Sequence, residues 1–274
     1  MSSDRGYVMA ETEAAAESQR LALLESRADA GTIGRLQRLG VAPGWRCLEV
    51  GAGRGSIARW LAEQVGPEGS VVAADIDTRF LDGMPDNVQV RIVDVREDGL
   101  ETGAYDLVHC RALWMHLGDP AAVLARMAGA LRPGGVLLAE EGDYGLYHYG
   151  GHPDGDELSE AAHRTFAVMR SAGIMDAYFG RRLPGTLAES GLELLGVEVE
   201  TPCGGPGDPG FEFARASVLD SLPRLIEARV MGDGEVGRLE GFFGHPDSLV
   251  CGPSGVAVWG RRRQRERERQ RDGV

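Results

Sequence analysis

Lysine is absent: all 29 basic residues of this 274-residue chain are arginine. Schiff-base chemistry on a lysine amine is therefore excluded. Arginine-only usage, with abundant glycine and alanine, is what a GC-rich genome produces. Cysteine is scarce. Cys47, Cys110, Cys203 and Cys251 form no C-x-x-C pair, which argues against a zinc knuckle or a redox pair. Positive charge runs short, leaving a formal net charge of −13. A polyanion such as DNA or RNA needs a basic surface, so no nucleic-acid partner is expected. No apolar run approaches the ~20 residues of a membrane span. The acid-rich N-terminus has no apolar signal core. The expectation is a cytoplasmic protein with reduced thiols and no membrane partner.

What is present is an ordinary globular balance, 43% hydrophobic and 26% charged, in a chain long enough for one large domain or a domain with a cap. Residues 10–39 read as helical on Leu21, Leu23, Leu24, Ile33 and Leu36. Strands are expected at 46–50, 70–75, 88–94, 105–110 and 136–141, with helices at 56–65 and 119–131. Continuous apolar strands alternating with helices indicate a parallel sheet covered on both faces. After Glu141 come a Gly/Tyr/His-rich loop and helices at 156–172 and 176–191. A strand at 192–201 and a flexible insertion at 202–210 follow. Helices at 211–230 and 233–243 lead to a last strand, "SGVAVWGRR". The organisation expected is an N-terminal helical segment (1–40), a ligand-binding domain (41–260) with cap insertions near 142–175 and 202–245, and a charged tail (261–274), frayed or disordered.

The most informative stretch is "CLEVGAGRGSIARWLA", a strand that turns into a helix through Gly51, Gly53 and Gly55. Such a turn makes a small-molecule cradle at a helix N-terminus. Glycines permit positive φ and close approach of a ligand. The spacing is one residue short of the dinucleotide fingerprint G-x-G-x-x-G, and Ser56 stands where its last glycine would be. Glu49, two residues before Gly51, would repel a pyrophosphate and suits an ammonium group. S-adenosylmethionine (SAM) carries one. Asp75 closes the second strand where a carboxylate can accept from a ribose diol. Asp94, at the end of the third, can accept from an adenine amine.

"LEVGAGRGSIARWLA", "VVAADID", "VQVRIVDVRE", "YDLVHCRALWMHLGDP" and "LRPGGVLLAEE" together resemble the successive motifs of class I SAM-dependent methyltransferases over about residues 30–142. The resemblance implies an α/β fold: a Rossmann-like, seven-stranded, mostly parallel sheet with helices on both faces, an antiparallel last strand and here a helical cap. It implies SAM as cofactor. Glu49 would orient the turn and the amino-acid end, lined by Gly51, Ala52, Gly53 and Gly55. Asp75 would hold the ribose and Ile76 the adenine, with Asp94 on the adenine amine and Val95 on the ring. Cys110 and Arg111 would meet the methionine moiety. Asp77 would cap a helix after the second strand.

The acceptor must meet segments beyond strands four and five. The substrate-binding candidates are Trp114 and Met115 after strand four and Glu141, Tyr144 and Tyr147 after strand five, where "DYGLYHYGGH" reads as an aromatic lid. His148 is the first choice of general base and His116 the second. No metal triad is evident, and no N-P-P-Y follows strand four. The expectation is methylation of a small organic acceptor, at oxygen, in bacterial natural-product metabolism; the reading allows a homodimer. The alternative is the same SAM-binding fold catalysing a non-methylating reaction such as cyclisation. A nicotinamide-dependent oxidoreductase is opposed by the glycine spacing and Glu49, and a non-catalytic subunit by the intact acid and glycine set.

Overall fold

A computed structural model describes residues 14–264. The elements in chain order are α1 (Ala14–Arg38), β1 (Arg46–Val50), α2 (Ser56–Val65), β2 (Ser70–Asp75), β3 (Val88–Ile92), β4 (Tyr105–Arg111) and α3 (Pro120–Ala130). There follow β5 (Leu131–Asp143), β6 (His148–Gly150), α4 (Gly155–Ser171), α5 (Leu183–Glu189), β7 (Glu193–Glu200) and β8 (Cys203–Gly204). The series ends with α6 (Pro209–Glu227), α7 (Asp233–Gly244), β9 (Leu249–Cys251) and β10 (Ser254–Arg261). Seven strands form one sheet in the order β3-β2-β1-β4-β5-β10-β7. All pairs from β3 to β5 are parallel, while β10 lies antiparallel between β5 and β7.

Side chains alternate across this sheet. Cys47, Val71, Leu107, Leu138 and Ala257 pack on one face with Ile57, Ala58 and Leu61 of α2 and Leu36 of α1. Leu48, Val72, Val108, Leu137 and Val258 pack on the other with Val123, Leu124 and Met127 of α3 and Leu183 and Leu187 of α5. Both faces are buried, which explains strands that read as unbroken apolar runs. A third cluster joins Tyr147, Tyr149, Leu158, Phe211, Phe242 and Val250. It binds α4, α6 and α7 around a second sheet, β6-β9-β8.

Several expectations are corrected. No helix follows β2: Gly83 and Pro85 break the segment, and Asp77 pairs with Arg79 at 2.7 Å instead of capping. The helix expected from residue 176 starts at Leu183, where Pro184 sits in the first turn and suits a helix start. The aromatic loop is no free lid, because β6 pairs with β9 and buries Tyr147 and Tyr149. The insertion at 202–210 is pinned too. Cys203 and Cys251 face each other across β8 and β9 and form a disulfide, so two of the four thiols expected to be reduced are not free. Residues 1–13 and most of the expected tail lie outside the described residues, and Arg261 belongs to β10. Among the described residues no helix is long and apolar enough to cross a membrane.

Candidate active site

A cavity of about 1640 Å³ opens beyond the carboxyl ends of the strands, between the sheet and the α4/α6/α7 layer. Its floor is the glycine turn. Gly51, Gly53 and Gly55 all have positive φ, at 73°, 56° and 81°. The turn spends its N–H groups internally. Gly51 and Ala52 donate to the Ala74 carbonyl, Gly53 to Asp75 Oδ2 at 2.8 Å and Gly55 to the Ala52 carbonyl. Ser56 N–H goes to Glu25. Three acids thus stand around the turn: Asp75 and Glu25 accept from it, and Glu49 lies on the cavity wall. That is a site for a cationic ligand, not for a pyrophosphate.

The sequence-selected residues divide by position. Glu49, Gly51, Ala52, Gly53, Asp75, Ile76, Asp94, Val95 and Arg111 line the cavity. Asp75 ends β2 and also accepts from Asp77 N–H at 3.0 Å; burial raises its carboxyl above the usual range. Ile76, 42% exposed, offers an apolar face to a ring. Gly55 is not on the cavity wall. A Cβ there would meet Met84 and Leu81, so this glycine serves the start of α2 and its packing. Cys110 is fully buried in the core below the site, where burial pushes its thiol well up. Asp94 lies two residues past the end of β3, not in it, and Arg96 chelates it at 2.8 and 2.7 Å. Arg111 is held by α1, donating to Asp29 at 2.8 Å and to Thr32 at 3.0 Å.

At the far end the walls are Met115, Glu141, Tyr144, Tyr147 and Tyr149 with Phe166 of α4 and Phe213 of α6. Trp114, expected here, is instead fully buried and stacks on Phe179 in the core. His148 points away from the cavity, bonded to Ser159 Oγ at 2.9 Å on the half-exposed outer edge of β6. The reason is the period of a strand: Tyr147 and Tyr149 face inward, so His148 between them faces out. His116 does line the cavity, but burial, with Arg20 nearby, depresses its imidazole to about 4. Glu141 moves the opposite way. Its oxygens accept N–H groups of Met115 at 2.9 Å and Gly142 at 2.7 Å, yet burial lifts its carboxyl to about 7.

One functional group was missed in the sequence. His109, wholly buried in β4, bridges Glu49 at 2.7 Å and Glu140 at 3.0 Å. Glu140 also takes Thr32 at 2.7 Å and Arg35 at 2.8 Å, and Arg35 reaches Glu198 on β7 at 2.9 Å. This row crosses β1, β4 and β5 beneath α1 and fixes the Glu49 carboxylate at the cofactor end. The signal was available: Glu49, His109 and Glu140 each follow an apolar run within a strand, and a buried polar group requires a partner.

These features describe an α/β protein with an acid-lined cavity beyond the carboxyl ends of its strands. Comparison with known proteins agrees. The profile of a family described as "Methyltransferase domain" matches residues 48–137. Methyltransferase str2 of Strobilurus tenacellus is 32% identical over 199 residues, 70% of this chain and 70% of that one. Nocamycin O-methyltransferase of Saccharothrix syringae is 35% identical over 103 residues, 35% of this chain and 37% of that one. A Bacillus halodurans C-125 crystal structure assigned as a methyltransferase shares the fold, with TM-score 0.56 at 18% identity, covering 84% of this chain and 98% of that one. The chain belongs to the class I SAM-dependent methyltransferases. Its cofactor is SAM, and Glu49, Asp75, Ile76 and Val95, the residues expected to hold its ammonium, ribose and adenine, line one cavity.

Asp75→Ala is expected to weaken SAM binding by roughly 1–3 kcal/mol, through lost charge-assisted hydrogen bonds and a loosened Gly53 turn. Calorimetric titration checks this. Unchanged affinity in a folded variant removes the ribose assignment.

Proposed function

We propose that this enzyme methylates a small organic acceptor at oxygen, in natural-product metabolism. The carrying observation is one continuous cavity of about 1640 Å³, with a cofactor end and an aromatic end. Pockets for one ligand are typically ~300–1,000 Å³, so this one has room for cofactor and acceptor together. Residues 142–175 and 202–245 act as the cap, whose α4, α6 and α7 side chains close the aromatic end. A small molecule fits that enclosure better than a macromolecular surface. The O-methyltransferase of nocamycin, a relative over part of the chain, agrees with oxygen as the target.

The bound sulfonium supplies an electrophilic methyl. The chain's own task is to align the acceptor oxygen and take its proton. Orientation alone can supply roughly 7–11 kcal/mol of barrier reduction. Glu141 is the stronger base of the two cavity candidates, at about 7 against about 4 for His116. A carboxylate that already accepts two N–H bonds keeps lone pairs for a third donor. Glu141 thus takes the hydroxyl proton as the oxygen–carbon bond forms and the carbon–sulfur bond breaks.

The test is incubation of the protein with SAM and a panel of phenols, enols and hydroxy acids. The expected result is S-adenosylhomocysteine plus a product one CH2 heavier on oxygen. Turnover of a panel member to a cyclised or isomerised product without S-adenosylhomocysteine would instead establish the non-methylating alternative.

A further inference from the structure

Most arginines on the cavity wall hold an acid. Arg20 pairs with Glu17, Arg35 with Glu140, Arg54 with Glu25, Arg96 with Asp94 and Arg111 with Asp29. Arg27, two residues before Asp29 on α1, differs. Its Nη2 donates to the Pro253 carbonyl at 2.8 Å, and no carboxylate among the described residues lies within ion-pair distance. The acid whose charge it feels, Asp208, is committed as the N-cap of α6, accepting from Gly210 and Phe211. The guanidinium stands 5.9 Å from the Phe213 ring centroid, close to Tyr144 and Tyr147, and desolvation pulls its pKa down. A guanidinium has five N–H donors. An enclosed charge with one neutral acceptor is costly unless a ligand completes it.

We propose that Arg27 receives a carboxylate of the acceptor, which is therefore an aromatic or conjugated acid whose ring lies among Tyr144, Tyr147 and Phe213. The inference rests on the proposed small-molecule reading and names its substrate class. A planar carboxylate matches the guanidinium fork. The acid's apolar body is covered by the three rings, and its hydroxyl is left to Glu141, which lines the same end of the cavity. The methionine arm of SAM also carries a carboxylate, so the test must separate the two sources.

The full-length protein, saturated with S-adenosylhomocysteine, is titrated calorimetrically with 4-hydroxycinnamate and with its uncharged amide. The acid is expected to bind at least about tenfold tighter than the amide. In Arg27→Gln the ratio falls to near one while S-adenosylhomocysteine affinity holds; Arg27→Lys retains part of the ratio and keeps the charge should the glutamine variant fail to fold. Equal binding of acid and amide by the wild type, no binding of either, or a ratio unchanged in Arg27→Gln overturns the proposal. So does a large loss of S-adenosylhomocysteine affinity in that variant, which would place the cofactor's carboxylate at Arg27. The two readings fail separately. Methyl transfer to uncharged hydroxyl acceptors as fast as to acids removes the Arg27 assignment alone. Tight acid binding without transfer to oxygen removes the O-methylation reading alone.

Discussion

His109→Ala is expected to lower unfolding stability by about 3–5 kcal/mol, the cost of removing one partner from a buried ion network. The imidazole is wholly enclosed, and its cation is held by two carboxylates at 2.7 and 3.0 Å. Without it, Glu49 and Glu140 remain buried, with no cation between them. The Glu49 and Glu140 carboxylates raise the imidazole to about 9 despite burial, while His109, Thr32 and Arg111 depress Glu140 to about 2. The signs set a pH window. The His109 contribution is complete below its ordinary value of about 6.5 and is lost as pH rises through about 9. The Glu140 contribution is complete above about 4.5 and is lost as pH falls through about 2. Urea unfolding at pH 5.5, 7 and 10 should show the largest gap between wild type and variant at pH 5.5 and the smallest at pH 10. A gap below about 1 kcal/mol at pH 5.5 would mean that the network adds nothing net to the fold. Because Glu49 ends this row at the cofactor, SAM affinity should fall in the same variant.

Glu141→Gln is expected to cut kcat by about 10²–10⁴-fold at pH 8, the usual worth of a positioned general base. In the wild type kcat should climb with pH and level off above about 7, since only the ionised carboxylate accepts a proton. The variant loses that rising limb. SAM affinity should change little, because Glu141 lies at the aromatic end and its backbone bonds are to Met115 and Gly142. A variant within threefold of wild type, or a rising limb that survives in it, would remove Glu141 from the chemistry. His116→Asn serves as the contrast: with its imidazole held near 4, its loss should leave the limb in place.

Much of this enzyme is legible in one dimension, and for a definite reason. Strand and helix periods, and the glycines demanded by positive φ, are local properties. β1, α2, β2 and the α3 region follow from them within a residue or two. The acids expected at the cofactor were placed on the cavity wall for the same reason: Glu49 lies near the end of β1, Asp75 ends β2 and Asp94 follows β3, where ligands of open α/β sheets bind. The misplaced residues fail where facing matters. Trp114 reads as an acceptor-binding aromatic beyond β4 but stacks into the core. His148 reads as a loop base, yet the pairing of β6 with β9 turns it outward.

The sequence by itself determined the α/β class, the order of the first five strands in the chain and, through its run of motifs, the cofactor. Only the tertiary structure decided that His109 joins Glu49 to Glu140, that Cys203 meets Cys251, and which cavity groups burial pushes towards their neutral form. Those outcomes depend on which segments lie side by side and how much water is left between them. Burial moved Glu141 and His116 in opposite directions, since it disfavours charge on either, and no local pattern carries that information.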